Sequence, residues 1–191
     1  MADERIKLRD GSAVLIRPVE PDDKQLFVDG WEQFGDESRH RRFLGNKASL
    51  SDDDLAYFTE LDHVNHEALG ARDEDSGQGV GVARYVRLEA QPRVAEAAVA
   101  VIDEWQQRGV GGELLRRLTE RARENGVERF RARLFAYNDA MLALFGDLGE
   151  VDVLDATDNQ IEIDVELPFE PGTRLRGALR AAAEGLVRLR P

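Results

Sequence analysis

The sequence predicts an α/β fold, in which helices pack against a central sheet. Short apolar runs typical of strands alternate along the chain with longer segments whose apolar residues recur at helical spacing. The length of 191 residues, with 42% hydrophobic and 34% charged residues, suits one globular domain with a single core. The pattern continues to residue 167 and changes after Pro168.

The first half of the chain is predicted to contribute one strand, three helices and a hairpin. A strand over Val14–Ile16 is followed by Pro21, which starts a helix whose apolar residues we expect to lie in the core. Further helices are predicted at Glu37–Phe43 and after the N-cap residue Ser51. Two strands complete this half as a hairpin, at Glu67–Arg72 and Gly79–Leu88.

The second half alternates strands with helices. The fourth predicted strand spans Ala95–Ile102, and the clearest helix of the chain follows at Glu113–Asn125, where Gly126 provides the usual C-terminal stop. A fifth strand is predicted at Arg129–Phe135 and a helix at Asp139–Leu148. The remaining two strands form a pair at Val151–Leu154 and Ile161–Leu167.

Charge and cysteine content exclude several classes of function. The chain has 38 acidic and 26 basic residues, and its net charge of −12 argues against a nucleic-acid partner. The absence of cysteine excludes disulfides, thiolate metal sites and a cysteine nucleophile. We predict no metal site, because His63 and His66 lack a carboxylate cluster at ligand spacing. With neither a secretory signal nor a membrane-spanning segment in the sequence, we expect a cytoplasmic protein without a membrane partner.

A glycine-rich turn carries the strongest functional signal. Residues 106–112, Gln-Gln-Arg-Gly-Val-Gly-Gly, lie between the fourth predicted strand and the clearest helix. The free N–H groups and the dipole at a helix N-terminus form an anion site, and glycines allow a phosphate to approach the main chain closely. The turn lacks the lysine of a Walker loop and the glycine spacing of the dinucleotide fingerprint. A pyrophosphate would fit it, and a tight turn without a ligand is the alternative.

This turn and a second motif resemble the GNAT N-acetyltransferase superfamily. Gln106–Gly111 fits the Q/R-x-x-G-x-G/A signature of that family. Asn138–Phe145, ending at Gly149, is similar to its N-x-x-A-x-x-L-Y-x-x-x-G-F helix. The resemblance covers residues 12–167, which we predict to be the acetyltransferase domain. It implies a GNAT fold, with a mixed, mostly antiparallel sheet flanked by helices, in which strands 4 and 5 splay apart.

The resemblance also implies that acetyl-CoA binds as co-substrate. The main chain of Val99, Ala100 and Val101 would pair with the pantetheine arm, whose amides can extend a sheet edge. Asn138 would contact the same arm, and a plain N-cap role is the alternative. The pyrophosphate would be held by the backbone of Gln107, Arg108, Gly109, Val110, Gly111 and Gly112.

Within the superfamily, the chain looks most like the bacterial protein lysine acetyltransferases of the Pat type. Besides residues 95–106, three N-terminal stretches carry this likeness, at residues 38–43, 50–55 and 61–69. The catalytic glutamate of that branch matches Glu96. As a base, Glu96 would take a proton from an amine whose ordinary pKa is about 10.4, directly or through a water. We expect its small apolar neighbours to desolvate the carboxylate and to raise its pKa. Glu104 is the weaker alternative.

One position departs from the family pattern. Where the superfamily commonly has a tyrosine that protonates the departing thiolate, this chain has Phe145, which cannot donate a proton. A thiol with a pKa of about 8.5 is a tolerable leaving group without help. Tyr137 is the nearest substitute in sequence, although we expect its ring to pack beside Phe135.

Three functions fit these features. The first is acetyl transfer to a protein lysine, for which the Pat resemblance suggests an acyl-CoA synthetase as partner. The second is acetyl transfer to a small amine, and the third, motivated by Phe145, is a non-catalytic acyl-CoA-binding module.

Two arginine-rich segments are less specific. We predict that Arg39, Arg41 and Arg42 form a solvated, salt-bridged helix face, and an entrance for CoA or the acceptor is the alternative. The leucines and arginines of residues 168–191 predict an amphipathic C-terminal helix. That helix would pack on the domain or form a homodimer contact.

Overall fold

The computed structural model of the chain describes residues 3–45 and 47–168, which form one sheet with helices on both faces. The eight strands are β1 (Glu4–Lys7), β2 (Ala13–Pro18), β3 (His66–Asp73), β4 (Gly79–Leu88), β5 (Gln91–Val101), β6 (Arg129–Phe135), β7 (Val151–Thr157) and β8 (Gln160–Glu166). The five α-helices are α1 (Lys24–Glu32), α2 (Asp36–Phe43), α3 (Asp52–Thr59), α4 (Val110–Glu124) and α5 (Asp139–Gly146).

The strands confirm the predicted mixed, mostly antiparallel sheet. They pair in the order β1, β2, β3, β4, β5, β6, β8, β7, and every neighbouring pair is antiparallel except β5 with β6. Helices and strands alternate along the chain in this sheet, as an α/β protein requires. The predicted α/β class and the GNAT topology are therefore both present.

The sequence prediction missed the first strand, β1. Its four residues include one apolar side chain, Ile6, so they carry too short a pattern to indicate a strand. Pairing with β2 and an ion pair between Glu4 and Arg117 of α4, at 2.6 Å, hold it in the sheet. The sheet thus begins before residue 12, and the fourth and fifth predicted strands are β5 and β6.

Helix α4 covers one face of the sheet and forms the main core with it. Its apolar residues recur at helical spacing, so a single stripe faces β3, β4 and β5. The helix ends before Gly126, whose φ of +81° is the left-handed conformation that favours glycine. The buried residues of α4 are Val110, Leu114, Leu115, Arg117, Leu118, Thr119 and Ala122.

Helices α1, α2 and α3 cover the opposite face, and they pack much less closely. The prediction that the apolar residues of the first helix lie in the core is wrong for α1, because the helix buries none of its residues. Helix α2 buries none either, whereas α3 buries Leu55 and Thr59. The predicted N-cap at Ser51 is confirmed, since its hydroxyl accepts a hydrogen bond from the Asp54 amide.

The C-terminal part of the described chain is a hairpin. Strands β7 and β8 pair through a turn at Asp158 and Asn159, which both adopt positive φ, and β7 runs three residues beyond the predicted Leu154. The predicted amphipathic helix and its homodimer contact fall within residues 169–191, outside the described residues. Among the described helices, none combines the length and apolar character needed to span a membrane.

Candidate active site

The parallel strands β5 and β6 separate from each other and leave a wedge between them. They pair only where Val94–Glu96 meet Arg129–Arg131. Beyond that point, Ala97–Val101 pair only with β4, and Ala132–Phe135 pair only with β8. The edges of β5 and β6 that face the wedge therefore have free main-chain groups, which can pair with an extended ligand that carries amides. The predicted splay of these two strands is confirmed, and Val99, Ala100 and Val101 lie on its β5 edge.

Helix α2 spans this wedge. The ring of His40 stacks on Phe135 of β6 at a centroid distance of 4.9 Å. On the other side, the Ser38 hydroxyl accepts a hydrogen bond at 3.1 Å from the Gln106 side chain, which also donates to the Val101 carbonyl of β5 at 3.1 Å. The wedge thus opens beside α2, and Gln106 ties the end of β5 to that helix.

The predicted anion-binding turn leads from β5 into the N-terminus of α4. Gln107 and Gly109 adopt positive φ values of 61° and 100°, so the chain reverses sharply before the helix begins. Gly109 is the N-cap residue, and no side chain caps the helix. The first backbone N–H groups of α4, from Val110 to Gly112, therefore have no side-chain acceptor and remain available to an anion.

Helix α4 begins at Val110, three residues earlier than the sequence predicted. Gly111 and Gly112 are poor helix formers, and for that reason the sequence placed them in the turn. In the structure they form the first helical turn, because the absence of a side chain lets α4 approach its neighbours. A Cβ atom at Gly111 would lie 3.4 Å from Leu144 of α5 and 3.6 Å from Val101 of β5. These glycines bring the helix N-terminus against the wedge.

The side chain of Arg108 is engaged away from the backbone of the turn. Its guanidinium lies over the ring of Trp105 at 4.8 Å and 3.5 Å from a carboxylate oxygen of Asp10. The contribution predicted for Arg108 is that of its main chain, and these two contacts leave that prediction unchanged.

Helix α5 supplies the second family motif. Asn138 is its N-cap and accepts a hydrogen bond from the Met141 amide at 3.4 Å, so the alternative role of this residue is present. Phe145 is 1% exposed and belongs to the core, where it occupies the position of the family's tyrosine. Tyr137 is 52% exposed, and its ring stacks on Phe135 at 5.1 Å, as predicted.

Glu96 lies on β5 at the point where the wedge opens. The expectation that its carboxylate is desolvated by small apolar neighbours is wrong, because the Glu96 side chain is exposed. Residues alternate between the faces of a strand, so Ala95 and Ala97 are buried under α4 while Glu96 faces the side of α2. Glu104, the alternative base, is exposed in a short 3-10 turn after β5.

An open cavity lies between the sheet and helices α1, α2 and α3. It encloses about 880 Å³ of empty space, its open mouth included. Ala100 and Ile102 of the β5 end line it, so the cavity reaches the strand that forms one edge of the wedge. Most of the other lining residues are apolar or aromatic, among them Leu26, Phe27, Trp31, Phe43, Leu50 and Phe58.

Two arginines of this cavity, Arg42 of α2 and Arg84 of β4, lie beside Glu96. Arg84 is only 7% exposed, and its guanidinium stands over the rings of Tyr57 at 4.5 Å and Phe58 at 4.8 Å. Burial lowers the pKa of both guanidinium groups, to about 10 for Arg84, and the Glu96 carboxylate acts on both in the opposite direction. Both arginines therefore remain charged at neutral pH.

His66 completes this cluster as the hydrogen-bond partner of Arg84. Its Nε2 contacts the Arg84 guanidinium. Burial and the charge of Arg84 lower the pKa of His66 to about 4, so the ring is neutral at pH 7 and accepts the hydrogen bond. His63 instead contacts the buried carboxylate of Glu67 at 2.8 Å. Over residues 3–45 and 47–168, no three His, Asp or Glu side chains are grouped as metal ligands.

Sequence reasoning missed the pairing of Arg42 with Arg84. It treated Arg42 as part of a salt-bridged face, which holds for Arg39 with Asp36 and for Arg41 with Glu37, but Arg42 lines the cavity. Arg84 carried a signal that could have been used, because it is a charged residue in the middle of the apolar strand β4.

Comparisons with known proteins agree with this geometry. The Acetyltransferase (GNAT) family matches residues 31–149. Acetyltransferase Pat of Mycolicibacterium smegmatis is 32% identical over 188 residues, which are 96% of this chain and 56% of that protein. The chain thus spans a little more than half the length of this relative.

Two solved structures share the fold. The GNAT domain of S. lividans PAT has a TM-score of 0.78 and 32% identity, and the match covers 86% of this chain and 97% of that domain. The structure of yncA from Salmonella typhimurium with its cofactor acetyl-CoA has a TM-score of 0.65 and 18% identity, and the match covers 84% of this chain and 97% of that one. The second likeness concerns the fold alone.

Proposed function

The chain belongs to the GNAT acetyltransferase family, and on that premise we propose that it transfers an acetyl group from acetyl-CoA directly to an amine. The observation that carries the proposal is the wedge between β5 and β6, which opens beside the uncapped N-terminus of α4. The acetyl-CoA in the yncA structure, which has the same fold, supports this choice of co-substrate.

In this proposal, acetyl-CoA lies along the wedge. Its pantetheine amides would pair with the free edge of Val99–Val101, as an added strand does. Its pyrophosphate would accept hydrogen bonds from the amides of Gln107–Gly112 at the positive end of α4. Because the chain carries a net charge of −12, these local donors must hold the anionic CoA against the overall field.

The transfer itself needs a base and a site for negative charge. Glu96 would take the proton of the ammonium group, directly or through a water, and the freed nitrogen would attack the thioester carbon. The oxyanion of the tetrahedral intermediate would accept a hydrogen bond from a strand amide near Val101. When the C–S bond breaks, the thiolate would leave without a proton from Phe145, because a thiol with a pKa of about 8.5 is a sufficient leaving group.

Two classes of amine are candidates for the acceptor. The resemblance to the Pat branch supports a protein lysine, for example of an acyl-CoA synthetase. The cavity beside the wedge favours a small amine, since about 880 Å³ of mostly apolar space can surround a small molecule. Both classes would bring the amine to Glu96.

The test compares Glu96→Gln with the wild type. We expect Glu96→Gln to lower kcat by about 10²–10⁴-fold, because the amide cannot accept the proton, while calorimetry finds the same Kd for acetyl-CoA. Glu104→Gln tests the alternative base in parallel. Equal kcat in Glu96→Gln and wild type would remove Glu96 as the base, and a loss in Glu104→Gln alone would assign the role to Glu104.

The same experiment separates an enzyme from a binding module. If acetyl-CoA binds by calorimetry but no amine in a broad panel accelerates the release of CoA, the chain is a non-catalytic acyl-CoA-binding module. If acetyl-CoA does not bind at all, the proposed function is wrong.

A further inference from the structure

The cavity under α1 and α2 is lined by apolar surface that the fold does not bury. A surface helix normally buries its apolar stripe against the core. Helices α1 and α2 bury no residue, and Leu26, Phe27, Trp31 and Phe43 line about 880 Å³ of open space instead. An apolar space of this size next to the wedge has the dimensions of a small-molecule site.

Arg42 and Arg84 make this cavity electrostatically unbalanced. Two other arginines line it, but Arg17 is paired with Asp23 and Arg72 with Asp3 at 3.0 Å. Within residues 3–45 and 47–168, neither Arg42 nor Arg84 forms an ion pair, and the contacts of Arg84 are His66 and two aromatic rings. A buried charge without a counter-charge is costly, so an anionic group is expected here.

The chemistry of the lining restricts that anion. A guanidinium presents parallel N–H donors that match the two oxygens of a carboxylate. A small inorganic anion would satisfy the arginines but would leave the surface of Phe27, Trp31 and Phe43 exposed to water. The ligand that satisfies both parts of the cavity carries a carboxylate on an apolar or aromatic body.

The position of Glu96 relates this ligand to the reaction. The Glu96 carboxylate lies near enough to Arg42 and Arg84 to oppose the effect of burial on both. An amine that brings only its positive charge to Glu96 would be repelled by two guanidinium groups. An amine that also carries a carboxylate offers the ammonium group to Glu96 and the carboxylate to the arginines.

We infer that the cavity holds the acceptor, and that the acceptor is a small amine that carries a carboxylate and an apolar or aromatic body. The inference rests on the proposed acetyl transfer and selects between its two acceptor classes. In the transfer, the acceptor nitrogen forms the new bond to the acetyl carbon and its proton passes to Glu96. The C–S bond breaks and the sulfur leaves with CoA.

The first experiment uses leucine, methionine, phenylalanine and tryptophan as probes, each with its carboxamide. The amide keeps the amine and the apolar body but removes the negative charge. With acetyl-CoA and the full chain, we expect kcat/KM for the preferred amino acid to exceed that of its amide by about 100-fold, because the amide leaves both guanidinium groups uncompensated. Equal rates for every acid and its amide would overturn the inference.

The second experiment assigns the preference to the two arginines. Arg42→Met and Arg84→Met should each reduce the acid-to-amide ratio from about 100-fold toward unity, with the Kd for acetyl-CoA unchanged. Arg41→Met is the matched control, because Arg41 precedes Arg42 on α2 and pairs with Glu37. Arg84→Met should melt no lower than wild type, since replacing a buried charge by an apolar side chain is often neutral or stabilising. Should it fail to fold, Arg84→Lys and Arg42→Met test the same point.

Further arms distinguish other sources of the effect. If the arginine variants lose the use of succinyl-CoA and keep their preference among acceptors, the carboxylate belongs to the acyl donor and the inference is wrong. If a lysine peptide is acetylated faster than every probe and the variants do not change that rate, the acceptor is a protein lysine. Loss of acetyl-CoA binding in the wild type would instead reject the proposed function, and melting with the probes alone still tests the cavity.

Discussion

The two faces of the central sheet differ in how completely they are packed. On one face, α4 buries seven of its fifteen residues against β3, β4 and β5. On the other, α1 and α2 bury none, and their apolar side chains line an open cavity that also contains Arg42 and Arg84. The first face stabilises the fold, and the second keeps apolar and charged groups free for a ligand. A helix pair that leaves its apolar surface open therefore indicates function better than a well-packed one.

The largest expected effect compares one residue from each face. Leu118→Ala should lower the free energy of unfolding by about 2–5 kcal/mol, because Leu118 is fully buried and its loss leaves a void. Phe27→Ala should cost about 1 kcal/mol, the value of a partly exposed aromatic contact such as its stacking on Phe58. Urea unfolding of both variants measures the difference. Equal losses would mean that the cavity face is packed like the α4 face.

The next effect concerns the end of the packed face that meets the wedge. Gly109 has a φ of 100°, and a Cβ atom added there would meet nothing within 4 Å, so alanine at this position is strained without a clash. Holding alanine in a left-handed conformation costs about 1–2 kcal/mol. We expect Gly109→Ala to weaken acetyl-CoA binding about tenfold in calorimetry, because relief of the strain moves the amides of the turn.

Gly146→Ala is the matched control for this prediction. It adds a methyl group at the end of α5, where nothing lies within 4 Å and no positive φ occurs, so the Kd for acetyl-CoA should stay that of wild type. Unchanged affinity in Gly109→Ala would show that the conformation of this turn does not determine binding.

A smaller effect is expected from acid on the cavity face. Burial lowers the pKa of His66 to about 4 from its ordinary 6.5. Between these values the unfolded chain binds a proton that the folded chain does not, so this residue makes stability fall as the pH drops from about 6.5 to 4. Urea unfolding at pH 7 and pH 4.5 should show a smaller decrease in His66→Gln than in wild type. The same decrease in both would exclude a role for His66 in the acid sensitivity of this face.

The packed face could be read from the sequence. Leu114, Leu115, Leu118 and Ala122 recur at the spacing of one helix stripe, and local periodicity alone determines which side of α4 is buried. The wedge was predicted through the family motifs around Gly109 and Asn138. The start of α4 was not, because helix propensity placed Gly111 outside the helix, whereas packing against Leu144 places it inside.

The cavity face could not be read in the same way. Its charged cluster joins Arg42, His66, Arg84 and Glu96, which come from four different elements, so only the tertiary fold brings them together. The environment of Glu96 was wrong for a related reason. Its neighbours in sequence are small and apolar, but alternation along β5 turns their side chains to the other face of the sheet.

The central claim is that the open face and the wedge form one site, and a crystal structure with acetyl-CoA tests it most directly. The account predicts density for pantetheine along Val99–Val101, the pyrophosphate at the amides of Gln107–Gly112, and the acetyl group directed toward the cavity beside Glu96. Acetyl-CoA bound outside the wedge, or with its acetyl group directed away from α1 and α2, would contradict the account.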